Sequence, residues 1–364
     1  MPFSFLKRKK KEAPKSSPYF DLIVKDIIHE TSDAISIVFE QPKNGNLEYK
    51  PGQFITIIQT IGGKKVRRAY SLCSSPVTGE LPAVTVKRVQ GGIMSNFLND
   101  QLKPGDTVSI MEPMGVFVLD TQKPIHQHVF LFGGGSGITP LLSIAKTLLQ
   151  DHPKSKVSLI YANKDIDSII FRDTLKSLEL DYPDRLRTIH YLETPPADWT
   201  GEIGYLTPDK LTSNINQLND SKYPEAVYMT CGPEPMMNIV VDTLKARGIH
   251  QDRIFKESFV AGTTSPQEII ASDEPKEVSV LLDGQIHKFD VPADKSILEA
   301  GLDLGLDLPY SCQSGLCTAC RGKCSSGEVK MEDVSVLSHE EVSEGYVLMC
   351  ISKPKTDNVV IEVG

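Results

Sequence analysis

The sequence predicts a multidomain chain: an antiparallel β-barrel, then an α/β unit around a parallel sheet, then a small α+β unit rich in cysteine. Three observations predict it. Residues 18–120 read as short strands cut by turns at Pro51-Gly52 and Pro104-Gly105-Asp106. Residues 121–260 alternate strand and helix patterns, as parallel sheets with crossover helices do. Near the end, Cys312, Cys317 and Cys320 form C-x4-C-x2-C, and Cys350 follows thirty residues after Cys320. That is the ligand spacing of a plant-type 2Fe–2S centre, in which each tetrahedral iron takes two thiolates beside two bridging sulfides.

The composition bounds the function. At 364 residues the chain has room for two to three domains, and 40% hydrophobic with 24% charged residues is a globular composition. A net charge of −8 argues against nucleic acid as a general partner, and no apolar run reaches the length of a membrane span. Seven cysteines, an odd count concentrated in the last third, argue against a disulfide framework and for a reducing, cytoplasmic setting. Residues 1–17 stand apart. Phe3, Phe5 and Leu6 precede the basic run Lys7–Lys11, an order opposite to that of a signal peptide. This tail reads either as a solvated, flexible end or as a weak tether to an anionic membrane surface.

In the barrel, strands are expected at Leu22–Ile28, Ala34–Glu40, Phe54–Thr60, Val84–Val89 and Thr107–Met111. Arg68-Ala69-Tyr70-Ser71 carries the first chemical signal. Alternate residues of a strand share a face, so Arg68 and Tyr70 project together. The ring of Tyr70 offers a stacking surface to a flat isoalloxazine, Arg68 offers forked donors to a pyrophosphate, and Ser71 offers a donor to a ring nitrogen. About twenty residues on, Gly91-Gly92-Ile93-Met94-Ser95 leads into a short helix whose N-terminus can hold phosphate oxygens.

In the α/β unit the strand Val129–Phe132 runs into Gly133-Gly134-Gly135-Ser136-Gly137-Ile138-Thr139-Pro140, with a helix expected over Leu141–Gln150. Strand, glycine loop and helix make a phosphate cradle, although neither the G-x-G-x-x-G fingerprint nor a P-loop is spelled out. The remaining elements are expected as strands Lys156–Ala162, Leu186–Glu193, Ala226–Thr230 and Arg253–Phe259, and helices Ser168–Glu179 and Pro235–Arg247. Cys231-Gly232-Pro233 closes a strand at its carboxyl end, where open α/β sheets bind ligands; a buried structural thiol is the other reading of Cys231. Lys164 follows the second strand, where a ribose 2′-group is read, and beside Asp165 it favours NADPH while leaving NADH open.

The third unit opens with strands at Glu277–Asp283 and His287–Val291 joined through Asp283-Gly284. Ser296-Ile-Leu-Glu299 is a capping box that starts a helix to about Leu304, stopped by Pro309. Gly315 suits a loop bent tightly around an inorganic core. Cys324 falls outside the ligand spacing and reads as a buried thiol in the following strand. A zinc site is the competing use of such a run, but its usual pattern is two C-x2-C pairs.

Residues 276–364 resemble a plant-type ferredoxin, a β-grasp fold. R-x-Y-S, GG-x-x-S, GGG-x-G-x-x-P and CGP, in that order across residues 18–260, resemble the ferredoxin–NADP reductase superfamily. The joined layout is similar to the reductase component of phenylacetyl-CoA oxygenase and related multicomponent oxygenases. The resemblance implies that Arg68, Ala69, Tyr70 and Ser71 hold FAD, with Gly91, Gly92, Met94 and Ser95 about its pyrophosphate. It implies that Gly133, Gly134, Gly135, Ser136, Gly137, Thr139, Lys164, Cys231, Gly232 and Pro233 take the nicotinamide cofactor, NADPH or NADH. Tyr70, Ser71, Cys231 and Glu257 would face the reacting rings, with Phe259 near the flavin edge. Cys312, Cys317, Cys320 and Cys350 would hold the 2Fe–2S cluster.

Reduced nicotinamide gives electrons in pairs, the cluster accepts one, and flavin converts between them. The implied partner is a separate oxygenase component, acting on phenylacetyl-CoA or another aromatic or acyl substrate. A fatty-acid desaturase or other iron-dependent acceptor is the alternative, and a non-enzymatic cysteine-rich binding module is a third reading. Residues 261–275, rich in Thr, Ser, Asp and Glu, read as a flexible linker that keeps the ferredoxin unit near the flavin.

Overall fold

A computed structural model of the chain describes residues 19–43, 45–119, 128–219, 225–259, 274–282, 284–331 and 336–363. The basic tail 1–17, nearly all of the linker 261–275, and Asp283 of the expected hairpin lie outside the described residues.

The first unit holds β1 (Tyr19–Thr31), β2 (Ala34–Phe39), β3 (Phe54–Ile61), β4 (Lys64–Ser71), β5 (Ala83–Lys87), α1 (Ile93–Gln101) and β6 (Thr107–Met114). The strands lie in the order β4-β3-β6-β1-β2-β5 with every pairing antiparallel. A bridge from Leu72 to Val84 joins the two ends and curls the sheet into a barrel. Its interior is filled by Leu22, Val24, Ile35, Ile37, Ile55, Ile57, Val84, Val86, Val108 and Ile110, mostly branched residues that suit a pleated, covered face. Gly52, at φ +95, closes the turn before β3, and a Cβ there would fall 2.0 Å from the Phe117 carbonyl oxygen.

The second unit holds β7 (His128–Gly134), α2 (Ile138–Asp151), β8 (Lys156–Asn163), α3 (Arg172–Asp181), β9 (Leu186–Leu192), β10 (Glu202–Ile203), α4 (Pro208–Leu218), β11 (Val227–Cys231), α5 (Glu234–Ala246) and β12 (Ile254–Glu257). The order β10-β9-β8-β7-β11-β12 is parallel throughout. All seven residues of β7 are buried, as a central strand covered on both faces requires. The chain order reverses between β7 and β11, so the carboxyl ends of those two strands flank the crevice of the sheet. α2 buries Leu141, Leu142, Leu148 and Leu149 on one side, each contributing about 1.5–3 kcal/mol.

Two expectations shift here. Gly133 and Gly134 belong to β7 rather than to the loop, because both pair with β8. The helix expected from Ser168 starts at Arg172: Asp165 and Ser168 cap a short turn over Ile166–Ser168, and Phe171, at φ +62, breaks the path before α3.

The third unit holds β13 (Lys276–Leu282), β14 (Gln285–Val291), α6 (Ile297–Asp303), β15 (Arg321–Ser326), β16 (Val329–Met331), α7 (His339–Ser343), β17 (Tyr346–Leu348), β18 (Ser352–Pro354) and β19 (Val359–Val363). Five strands form the sheet β14-β13-β19-β15-β17, and β16 pairs with β18 apart from it. The α6 capping box forms as read: Glu299 N–H donates to Ser296 Oγ at 3.2 Å, and Ser296 N–H to Glu299 Oε2 at 2.8 Å. Cys324 lies in β15 as expected but is only half-buried, and its thiol donates to the Ser326 carbonyl at 3.3 Å.

Candidate functional site

β4 is the organising strand. It pairs with β3 in the register Ile57↔Arg68, Thr56↔Ala69, Ile55↔Tyr70 and Phe54↔Ser71. Arg68, Ala69, Tyr70 and Ser71 line a cavity of about 390 Å³, together with Gly92, Met94 and Ser95 from the start of α1 and Ser136 and Thr139 from the glycine loop. Burial pushes the Tyr70 phenol upward, so it stays protonated through the physiological range. Gly91, at φ +72, turns the chain into α1 but does not line the cavity. Gly92 caps α1 without a side chain, so no side-chain oxygen occupies the first-turn N–H groups. Ser95 Oγ instead accepts the Val89 N–H at 3.1 Å and fixes the approach to the helix. A cationic fork, a flat ring and an uncapped helix N-terminus around one cavity suit a flavin with a pyrophosphate tail.

The glycine loop is shaped by contact with β11. A Cβ on Gly137 would lie 2.0 Å from the Cys231 carbonyl oxygen, and one on Gly134 would lie 2.5 Å from Pro233 Cδ. Gly232, at φ +157, has the Gly134 amide nitrogen 2.8 Å from its would-be Cβ. Gly134 and Gly137 therefore press against Cys231-Gly232-Pro233 at the switch point of the sheet, and Gly133 is the register partner of Cys231. Gly135, at φ +51, faces open space, and its carbonyl accepts the Tyr161 hydroxyl at 2.9 Å. Thr139 Oγ1 donates to the Ser136 carbonyl at 3.0 Å. Lys164 is exposed just beyond β8 and lies outside the cavities that hold the other site residues.

Cys231 and Glu257 are register partners at the ends of β11 and β12, and both are buried. Burial raises the Glu257 carboxyl to about 8, against a hydrogen bond from Ser71 Oγ at 3.5 Å that lowers it. Burial, then the nearby Glu257, hold the Cys231 thiol well above its ordinary value. Both groups are thus neutral at pH 7. Phe259 follows on the same segment, is half-exposed, and lines both this cavity and the next.

The four predicted cysteines converge. Cys312 and Cys317 have their sulfurs 3.2 Å apart, and Cys350 is hydrogen-bonded to both Cys312 and Cys320. Hydrogen bonds from Cys317 and then Cys350 hold the Cys312 thiol down, and the same contacts hold Cys317 and Cys350 up, so the sulfurs behave as one hydrogen-bonded group. The Ser314 N–H points at Cys312 Sγ at 3.5 Å, and Gly315, at φ +74, has Ile351 Cδ1 2.9 Å from its would-be Cβ. Four free thiols, three of them buried, with a backbone N–H aimed at sulfur, fit a 2Fe–2S cluster. A second cavity of about 240 Å³ places Cys312, Gln313 and Leu316 opposite Arg68, Ala69, Ser71 and Phe259.

Ile93, from the glycine-serine stretch, also lines the first cavity, as do Thr85, Lys87, Arg88 and Val89, which no motif in the sequence marks. Lys87 ends β5 and Arg88 follows it, held to Asp100 Oδ1 at 2.6 Å; only the closed barrel, not local pattern, brings both to the cavity.

Comparison with known proteins agrees with this anatomy. Residues 21–119 match the oxidoreductase FAD-binding domain, 131–242 the oxidoreductase NAD-binding domain, and 280–355 the 2Fe-2S iron-sulfur cluster binding domain. The chain is 37% identical to the ferredoxin reductase component of 3-ketosteroid-9-alpha-monooxygenase from Rhodococcus rhodochrous, over 96% of this chain and 99% of that protein. It is 35% identical to one of the 1,2-phenylacetyl-CoA epoxidase polypeptides of Escherichia coli (strain K12), over 94% and 97% of the two chains. Among solved structures it resembles phthalate dioxygenase reductase, with a TM-score of 0.59 and 25% identity over 96% of this chain and all of that one.

Proposed function

We infer the function from one premise: this chain belongs to the reductase components of oxygenases that join FAD-binding, NAD-binding and 2Fe–2S domains in one polypeptide. It is an NAD(P)H-dependent flavin iron–sulfur oxidoreductase that passes electrons through FAD and the cluster to an oxygenase. Bound FAD supplies the conversion of paired electrons into single ones, and the cluster supplies the one-electron exit.

We assign residues 18–120 to flavin binding, 121–260 to nucleotide binding and 276–364 to the cluster, with 1–17 as tail and 261–275 as linker. Arg68 and the α1 N-terminus hold the pyrophosphate, while Tyr70 and Ser71 bound the ring. Gly135 to Thr139 and Cys231 to Pro233 hold the nicotinamide nucleotide, and exposed Lys164 favours the 2′-phosphate of NADPH. Glu257 keeps a proton at its carboxyl and with Ser71 orders the ring edge. Cys231 packs there as a neutral thiol. Cys312, Cys317, Cys320 and Cys350 hold the iron. The observation that carries the reading is the pair of adjoining cavities, which share Arg68, Ala69, Ser71 and Phe259 and end at Cys312.

The acceptor is a separate oxygenase component of the aromatic or acyl-CoA class, and the free thiols suit the cytoplasm. The test is the visible spectrum of the purified protein before and after anaerobic NADPH or NADH, with chromatography of the released flavin. FAD and cluster bands that bleach on reduction are expected. A colourless protein, or zinc in place of iron, overturns the reading.

A further inference from the structure

β4 has two faces with two tasks. Arg68 and Tyr70 share one face, and Tyr70 packs on the barrel interior. Lys65, Arg67, Ala69 and Ser71 share the other, and it meets the cluster unit. Arg67 Nη2 donates to Asp307 Oδ1 at 2.7 Å, and Lys65 Nζ donates to Asp307 Oδ2 at 2.7 Å. One carboxylate thus serves two cations, one oxygen each. The Arg67 side chain is only 4% exposed, and its guanidinium lies over the Tyr310 ring at 5.2 Å. Its Nε is buried without a hydrogen-bond partner among the described residues. A covered guanidinium is costly when uncompensated, and Asp307 supplies the opposite charge.

The contacts run in step along both segments. Asp307 meets Lys65 and Arg67, and Tyr310 meets Arg67. Ser311 Oγ hydrogen-bonds Thr56 Oγ1, whose register partner on β4 is Ala69. Cys312 then faces Ala69 and Ser71 across the second cavity. The alignment from residue 307 to 312 fixes where the first ligand cysteine sits relative to the flavin cavity.

We propose that Asp307, Lys65 and Arg67 form an electrostatic clamp that positions the cysteine loop against the flavin cavity, and that they are positioning residues for electron passage from flavin to cluster. This rests on the assignment of the two cavities above. The clamp joins charged groups near the rim to a covered guanidinium, so salt weakens it and charge reversal opens it.

The test uses the full-length holoprotein with Asp307→Lys, Asp307→Asn, Asp307→Glu and, from the barrel side, Lys65→Glu. Anaerobic stopped-flow separates flavin reduction by NADPH from the later reduction of the cluster, and hydrogen exchange follows peptides over residues 307–317. In Asp307→Lys and Lys65→Glu, flavin reduction keeps its wild-type rate. Flavin-to-cluster transfer falls about tenfold, the population change of about 1.4 kcal/mol of docking. Exchange over 307–317 rises in both. Asp307→Asn is intermediate, and Asp307→Glu restores the rate. Raised salt slows the wild type but not Asp307→Lys. A wild-type transfer rate in both charge reversals overturns the proposal, whether or not exchange rises. A wild-type protein whose flavin neither NADPH nor NADH reduces overturns the functional reading instead, and the exchange comparison still judges the clamp.

Discussion

Gly137→Ala tests the nucleotide crevice with a single methyl group. Gly137 has an ordinary right-handed backbone, φ −61 and ψ −10, so alanine costs nothing in conformation there. What it meets is backbone: the Cys231 carbonyl oxygen at 2.0 Å, its carbon at 2.4 Å and the Gly232 nitrogen at 2.7 Å. No rotamer relieves such an overlap, so the loop and the end of β11 must part by more than about 1 Å, and overpacking of this kind costs about 1–3 kcal/mol. A displacement of about 1 Å between groups that hold one substrate costs roughly 100-fold in rate, or about 2.7 kcal/mol. We expect kcat/KM for NADPH, read by ferricyanide reduction, to fall about 100-fold while FAD stays bound. Gly248→Ala is the control in the same unit: at φ +77 with open space around it, it costs about 1–2 kcal/mol of backbone strain and leaves kcat/KM unchanged. Wild-type kcat/KM in Gly137→Ala, or an equal loss in Gly248→Ala, would refute the steric argument.

Glu257 holds a proton in the fold up to a pH of about 8, against 4.5 when unfolded, so stability falls as pH rises between those values. Glu257→Gln should remove up to about 5 kcal/mol of that slope; Tm followed from pH 5 to 8 checks it, and an unchanged slope counts against the burial argument. Serine at Cys312, Cys317, Cys320 or Cys350 should abolish cluster absorbance and leave the flavin bound, whereas Cys324→Ser, altering a half-buried thiol within β15, should keep both; the reverse pattern would mean a different ligand set. Lys164→Ala should raise KM for NADPH and spare NADH, and steady-state kinetics with both nucleotides decides it.

Elements with a strong local signature are legible in the sequence. The capping box at Ser296 and Glu299, the β4 motif and the C-x4-C-x2-C run each state their structure within a few residues. α4 is not legible in the same way, although Thr207 caps it and Pro208 opens it, because no glycine loop or chemical motif marks it out. The two-residue β10 and the three-residue β16, β17 and β18 are too short to show any period, and long-range pairing defines them. The start of α3 departs from expectation because Phe171 at positive φ carries no sequence signal. In the site, three of the four candidate cysteines stand together in sequence, but Arg67 and Asp307 are 240 residues apart, and only the docked fold makes them neighbours.

The cysteine cradle also bears on how a bound cluster would tie the third unit together. Three of its thiols sit between residues 312 and 320, and the fourth is on the turn Met349–Ile351. Iron bound by all four would close the intervening stretch into a ring, and β15, β16, α7 and β17 lie inside that ring. β15 is paired on both edges, with β19 and β17, and Val347, Leu348 and Met349 lie in the unit's core, so bound iron would cross-link a stretch that the sheet already holds. A loaded copy would therefore resist local opening between residues 320 and 350 more than an unloaded one, while both keep the same sheet.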